Sequence, residues 1–148
     1  MNIQQKAKLA SYINFHSSAV SSNINTIQAI VSREDVKKEL SEAFDLIRKD
    51  WVTVKYSKNT EAGKFIESLL WPLYQGKTIL IETNTLDFDP IVYDQLIQFR
   101  DNNKFTLSFA QGVPVSPRAS IFLSYQGKDD ENKIWEIADS VIRVDETN

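Results

Sequence analysis

Residues 78–82 read TILIE: four almost wholly apolar positions closed by a carboxylate. A run this short and this apolar has no polar face to offer water, which is the pattern of a strand covered on both sides. Upstream, residues 51–56 (WVTVKY) are β-branched and aromatic and read as a second strand. Between the two, Asn59 or Thr60 is placed to cap a helix carrying Phe65, Ile66, Leu69 and Leu70, which Pro72 is expected to stop. Downstream, Asp89 followed by Pro90 is an N-cap with proline at the first helical position. The helix it opens sets Val92, Leu96 and Phe99 on one stripe and ends near residues 102–103. Residues 105–110 (FTLSFA), 121–125 and 141–144 supply further strands, with a short helix between residues 134 and 139. Strands alternating with helices need crossover connections, hence a three-layer α/β fold with a mostly parallel sheet.

The N-terminal third reads differently. A short helix over residues 3–14 puts Leu9 and Ile13 on one face, and Ser17, Ser18, Ser21 and Ser22 then break it. Val20, Ile24, Ile27 and Val31 follow at spacings that predict one stripe of a second helix. Ser32, with Asp35 three residues on, is close to a capping box. It opens the best helix of the chain, in which Val36, Leu40, Ala43, Phe44 and Ile47 share a face that Trp51 closes. This reading makes residues 1–50 an N-terminal helical extension and residues 51–148 the α/β core, packed as one compact domain.

A chain of 148 residues, 42% of them hydrophobic, can bury a full core without a metal or a disulfide. The absence of cysteine excludes thiolate zinc sites and cysteine nucleophiles. The net charge of −3 predicts no overall attraction to nucleic acid or to an acidic membrane. Arg33, Lys37, Lys38, Arg48 and Lys49 are interleaved with Glu34, Asp35, Glu39, Glu42 and Asp45, a helix laced with ion pairs rather than a nucleic-acid face. The excess of base lies in the N-terminal part and the excess of acid beyond it, so a partner, or another copy, could meet either. No run resembles a signal peptide or a membrane span, and the cytoplasm is the expected location.

Gly76-Lys77-Thr78 ends like a phosphate-binding P-loop, but Trp71 stands where that motif needs its first glycine, and a strand follows instead of a helix. It is read as a turn into a buried strand. Residues 120–130 (SIFLSYQGKDD) resemble the opening of a TIR domain, which needs far more chain than follows Asp130. A broader likeness spans residues 78–144. TILIE is similar to the strand of RecA-like ATPases that ends in the acidic Walker B residue. FTLSFAQ at 105–111 resembles their next strand with its terminal glutamine, and IADSVIRV at 137–144 their C-terminal segment. The resemblance implies that Glu82 is the metal-side carboxylate and Gln111 the glutamine that senses the γ-phosphate. No P-loop precedes them.

Glu82, Asp87 and Asp89 cluster where a strand gives way to a helix, the usual ligand address in an open α/β sheet. Asp89 is equally a helix cap and Asp87 a loop carboxylate. Arg118 projects from a loop at residues 112–119 stiffened by Pro114 and Pro117, a fit for a carboxylate or phosphate. His16 is the sole histidine and is read as a surface residue. Trp71, Tyr74 and Trp135 are read as core, with interface anchors as the other option. With no complete catalytic motif, the sequence points to a non-catalytic binding or regulatory domain acting through a protein partner or self-association, with no catalytic residue, metal or cofactor implied. Its candidate ligand-binding residues are Glu82, Asp87, Asp89, Gln111 and Arg118. The competing reading is a small metal- or nucleotide-dependent enzyme built on Glu82, Asp87, Asp89 and Arg118.

Overall fold

A computed structural model describes residues 1–17, 26–47, 50–102, 104–105, 113–114, 120–127 and 131–145. The elements run α1 (Ile3–Ser17), β1 (Ile27–Ser32), α2 (Lys37–Ile47), β2 (Trp51–Tyr56), α3 (Ala62–Tyr74) and β3 (Thr78–Thr83). They continue with α4 (Pro90–Asn102), β4 (Lys104–Phe105), β5 (Val113–Pro114), β6 (Ser120–Gln126), α5 (Glu131–Ile137) and β7 (Ser140–Arg143). Five strands form one sheet in the order β2-β3-β6-β1-β7, every pair parallel. The expected α/β class and parallel sheet are what the chain adopts, with an N-terminal helix added. The short β4 and β5 pair antiparallel beside it. No helix among the described residues is long and apolar enough to cross a membrane.

The helical stripe expected through Ile27 and Val31 is corrected: residues 27–32 are β1, a strand buried at all six positions. It lies between β6 and β7, with Ile27 opposite Ile121 and Val31 opposite Arg143. The sheet therefore begins upstream of residue 51. The reason is that Ile27, Ala29 and Val31 face one helical layer while Ile30 faces the other. A strand apolar on both faces shows no alternation, and a few of its residues fall by chance on a helical spacing. Val20 and Ile24, the other half of that stripe, lie outside the described residues.

Chain direction decides which face each helix covers. A parallel crossover is right-handed, so reversing the direction of travel across the sheet switches the face. From β1 the chain moves to the far edge at β2, then returns through β3 and β6 and passes over β1 to β7. Hence α2 packs on one face, over Ile30, Leu80 and Phe122, while α3, α4 and α5 pack on the other, over Ala29, Ile81 and Leu123. Helix α1 docks beside α2, burying Leu9 and Ile13 against the sheet.

Three local expectations move by a few residues. Ser32 ends β1 instead of opening α2, and its Oγ accepts the Glu34 N–H at 3.1 Å. The cap passes to Asp35, whose Oδ1 accepts the Lys37 N–H at 3.0 Å. Glu61, not Asn59 or Thr60, is the N-cap of α3. Thr60 Oγ1 accepts the Ser57 N–H at 2.9 Å, closing the preceding turn. Pro72 sits inside α3, which continues to Tyr74. A proline there loses a single helical hydrogen bond, and the helix ends within a turn anyway, on Gly76 at φ 78°. Gly76-Lys77-Thr78 is thus a helix-ending turn into β3, as the sequence reading has it. The Asp89-Pro90 start is also as read, with Asp89 Oδ1 accepting the Ile91 N–H at 2.9 Å.

Candidate functional site

At the carboxyl edge of the sheet, β1 leaves toward α2 on one face while its neighbour β6 leaves toward α5 on the other. The turns diverge and open a crevice, the position at which open α/β sheets bind ligands. A cleft of about 310 Å³ occupies it. Its walls are the ends of β1 (Ser32), β2 (Lys55, Tyr56), β3 (Glu82, Thr83) and β6 (Ser124, Gln126), with the start of α2 (Glu34, Asp35, Lys37) above.

Pairing register fixes what shares a face. Lys55 lies beside Glu82, and Glu82 beside Ser124, one row across three strands. Leu80 and Phe122, two residues before Glu82 and Ser124, pack under α2, so this row points to the α2 side. Glu82 is half-buried and Ser124 is only 9% exposed. Tyr56, packed against Phe65 and Phe88, accepts the Asp89 N–H on its phenolic oxygen at 2.8 Å and so ties the start of α4 to the end of β2.

Of the residues singled out from sequence, Glu82 lines the cleft; Asp87 and Asp89 do not. Both aspartates are exposed: Asp89 caps α4, and the Asp87 N–H is held by Thr85 Oγ1 at 3.1 Å. No group of three or more His, Cys, Asp or Glu among the described residues is placed to hold a metal ion. Gln111, Arg118, Arg48 and Lys49 lie outside the described residues, as does most of FTLSFA. The strand beside β3 that ends in glutamine is β6, closing on Gln126. Lys37, Lys55, Ser124 and Gln126 escaped the sequence reading because the cleft needs β1, and β1 was read as helix.

Phosphate sites in such folds use a glycine-rich turn that bares backbone N–H groups at a helix N-terminus. The turns at residues 33–36, 57–61 and 84–89 contain no glycine. The helix starts they feed each carry a carboxylate: Asp35 and Asp89 accept a backbone N–H there, and Glu61, at the N-cap position without a cap hydrogen bond, lies 3.8 Å from Lys64. A carboxylate there satisfies the helix dipole from within the chain and repels an incoming phosphate.

A second polar cluster lies under the C-terminal end of α1. Tyr12 OH donates to the Ala29 carbonyl at 3.1 Å and shares a 2.7 Å hydrogen bond with Ser140 Oγ, which also meets His16 Nε2 at 3.3 Å. Burial pushes the Tyr12 phenol up to about 12, against the Ser140 hydrogen bond and with help from Asp139. His16 is not the free surface residue expected; it packs edge-on against Tyr12 and Phe15. Burial lowers its pKa, and Asp139 only partly offsets this. A histidine whose folded pKa is depressed stays neutral in the fold, while the unfolded chain takes a proton near about 6.5. Stability is therefore full above that value and falls as pH drops toward the folded pKa. Thermal melts at pH 7 and pH 5 are expected to show a larger loss for the native chain than for His16→Gln. Equal losses would remove His16 from the account.

No protein-family model and no curated protein matches the sequence. Among solved structures, the chain is similar to a "putative ATPase" from Cytophaga hutchinsonii, with a TM-score of 0.58 at 10% identity over 99% of this chain. The match covers 50% of that protein, so this chain spans about half its length. The class is thus an α/β domain with an all-parallel five-stranded sheet, its fold similar to that of this protein. At this identity the likeness concerns the fold and not the chemistry.

Proposed function

We propose that this is a non-catalytic binding or regulatory domain, a degenerate relative of the RecA-like fold that acts through a protein partner. The observation that carries the partner reading is the aromatic pair Trp71 and Tyr74 on α3. Their rings are stacked at 5.6 Å, yet they remain 63% and 59% exposed. These residues were expected in the core; instead α3 turns Phe65, Ile66, Leu69 and Leu73 inward and leaves the pair to solvent. Large rigid aromatics held outside are the residue type that anchors protein interfaces. Trp135 on α5, 54% exposed, adds to that surface character. The non-catalytic half of the reading is supported by the carboxylates of Asp35 and Asp89 that cap their helices and by the absence of glycine from the turns at 33–36, 57–61 and 84–89; the turn after β6 does hold Gly127.

The test is affinity co-purification from the native host, comparing the native chain with a Trp71→Ala, Tyr74→Ala double variant. A stoichiometric partner is expected with the native chain. It should fall at least about tenfold in the variant, since an interface anchor contributes about 2 kcal/mol or more. Thermal stability should barely change, because neither ring is buried. A partner retained by the variant would remove this surface from the proposal, and no partner at all would sink the reading.

A further inference from the structure

We propose that the strand-end cleft binds a small zwitterion of the α-amino-acid class, its ammonium group at Glu82 and Ser124 and its carboxylate at Lys55 and Lys37. This does not rest on the partner reading above. The first observation is Ser124. It lines the cleft, is only 9% exposed, and has no hydrogen-bond partner among the described residues. Its hydroxyl opens on the cleft without a protein partner, so a ligand entering there can take up its hydrogen bond. The second is the neighbouring carboxylate. Glu82 is half-buried in the same row, and no ion pair joins it to Lys55, its register partner on β2. A ligand that covered Glu82 would strip water from its charge, which is tolerable only if the ligand brings a cation and donors.

The mouth has the opposite need. Lys37 and Lys55 line it and are exposed. With Glu34 and Asp35 the cleft carries three carboxylates and two ammonium groups; four of the five are exposed and Glu82 alone is half-buried. A bare anion would meet Glu82. A phosphate ester would also meet Asp35, already committed to capping α2. A bare divalent cation lacks a third ligand. An apolar ligand would leave every one of these groups unpaired. An ammonium leading and a carboxylate trailing matches the order of charges, and about 310 Å³ lies at the small end of ligand pockets.

The experiment is isothermal titration of the full chain with the protein amino acids one by one, followed by the N-acetyl and carboxamide forms of the best binder. Saturable binding of at least one amino acid is expected. Blocking either end should weaken it at least about tenfold, as should Glu82→Gln, since each removes a charge-assisted hydrogen bond. Ser124→Ala should weaken it severalfold. Urea midpoints establish that each variant folds; should Glu82→Gln fail to fold, the exposed Lys55→Met supplies the same test from the carboxylate end. Absence of binding by every amino acid overturns the proposal, and so does unchanged affinity for the N-acetyl form. Neither result bears on the co-purified partner, so the two proposals fail separately.

Discussion

Phe122→Ala is expected to cost about 3–5 kcal/mol of stability. Phe122 lies on β6, the middle strand of the sheet, and is 0% exposed. Its ring meets Phe44 of α2 edge-to-face at 5.1 Å, and Phe44 in turn stacks on Trp51 at 5.4 Å. Truncation opens a cavity beneath the one crossover helix on that face, where neighbours on both adjacent strands are held by the ladder and cannot collapse inward. Domains of this kind are stable by about 5–15 kcal/mol in total, so the variant should lose a large share of its stability. Urea unfolding should show the midpoint fall with the slope unchanged. A loss below about 1 kcal/mol, in the range of exposed positions, would contradict the placement of α2 over the sheet.

Ile13→Ala should cost about 2–5 kcal/mol. Ile13 is 0% exposed and, with Leu9, forms the buried face of α1 in the cluster holding Ile30, Phe44 and Phe122. The rest of α1 has little to hold it: Ile3 and Phe15 are exposed, and the first turn has no acidic residue to favour the dipole. Docking of α1 therefore draws on Leu9 and Ile13, with Met1 and Tyr12 packed beside them, and on hydrogen bonds from Tyr12 to Ala29 and Ser140, between His16 and Ser140, and from Lys8 to the Arg143 carbonyl. If Ile13→Ala left the urea midpoint unchanged, α1 would not be packed on the sheet in solution.

What the sequence revealed of the fold follows from how each element carries its signal. Residues 78–83 and 51–56 are short, apolar or β-branched and bounded by turn residues, and both are strands. Asp89-Pro90 is a local cap, decided by two residues, and it holds. The reading of β1 fails because IQAIVS is apolar on both faces and is preceded by serines that also suit a helix start. A strand of this kind is settled by its neighbours β6 and β7, which lie more than eighty residues away in sequence. That single misreading also hid most of the cleft. Glu82 was found from its place at a strand end, whereas Ser124 and Lys55 join it only through register. The His16–Ser140 contact has the same character, since it spans 124 positions and no spacing rule reaches it.

The proposed non-catalytic role requires that the strand-end crevice of this α/β fold does not hold a nucleotide phosphate. The most direct test is isothermal titration of the chain with ATP and magnesium at near-physiological salt, paired with an assay for phosphate release. The prediction is no saturable heat into the millimolar range and no release above buffer, because Asp35 and Asp89 already accept the N–H groups at their helix starts and Glu61 adds a third negative charge at the start of α3. Saturable micromolar binding that Glu82→Gln abolishes, or phosphate release that the same substitution stops, would contradict it.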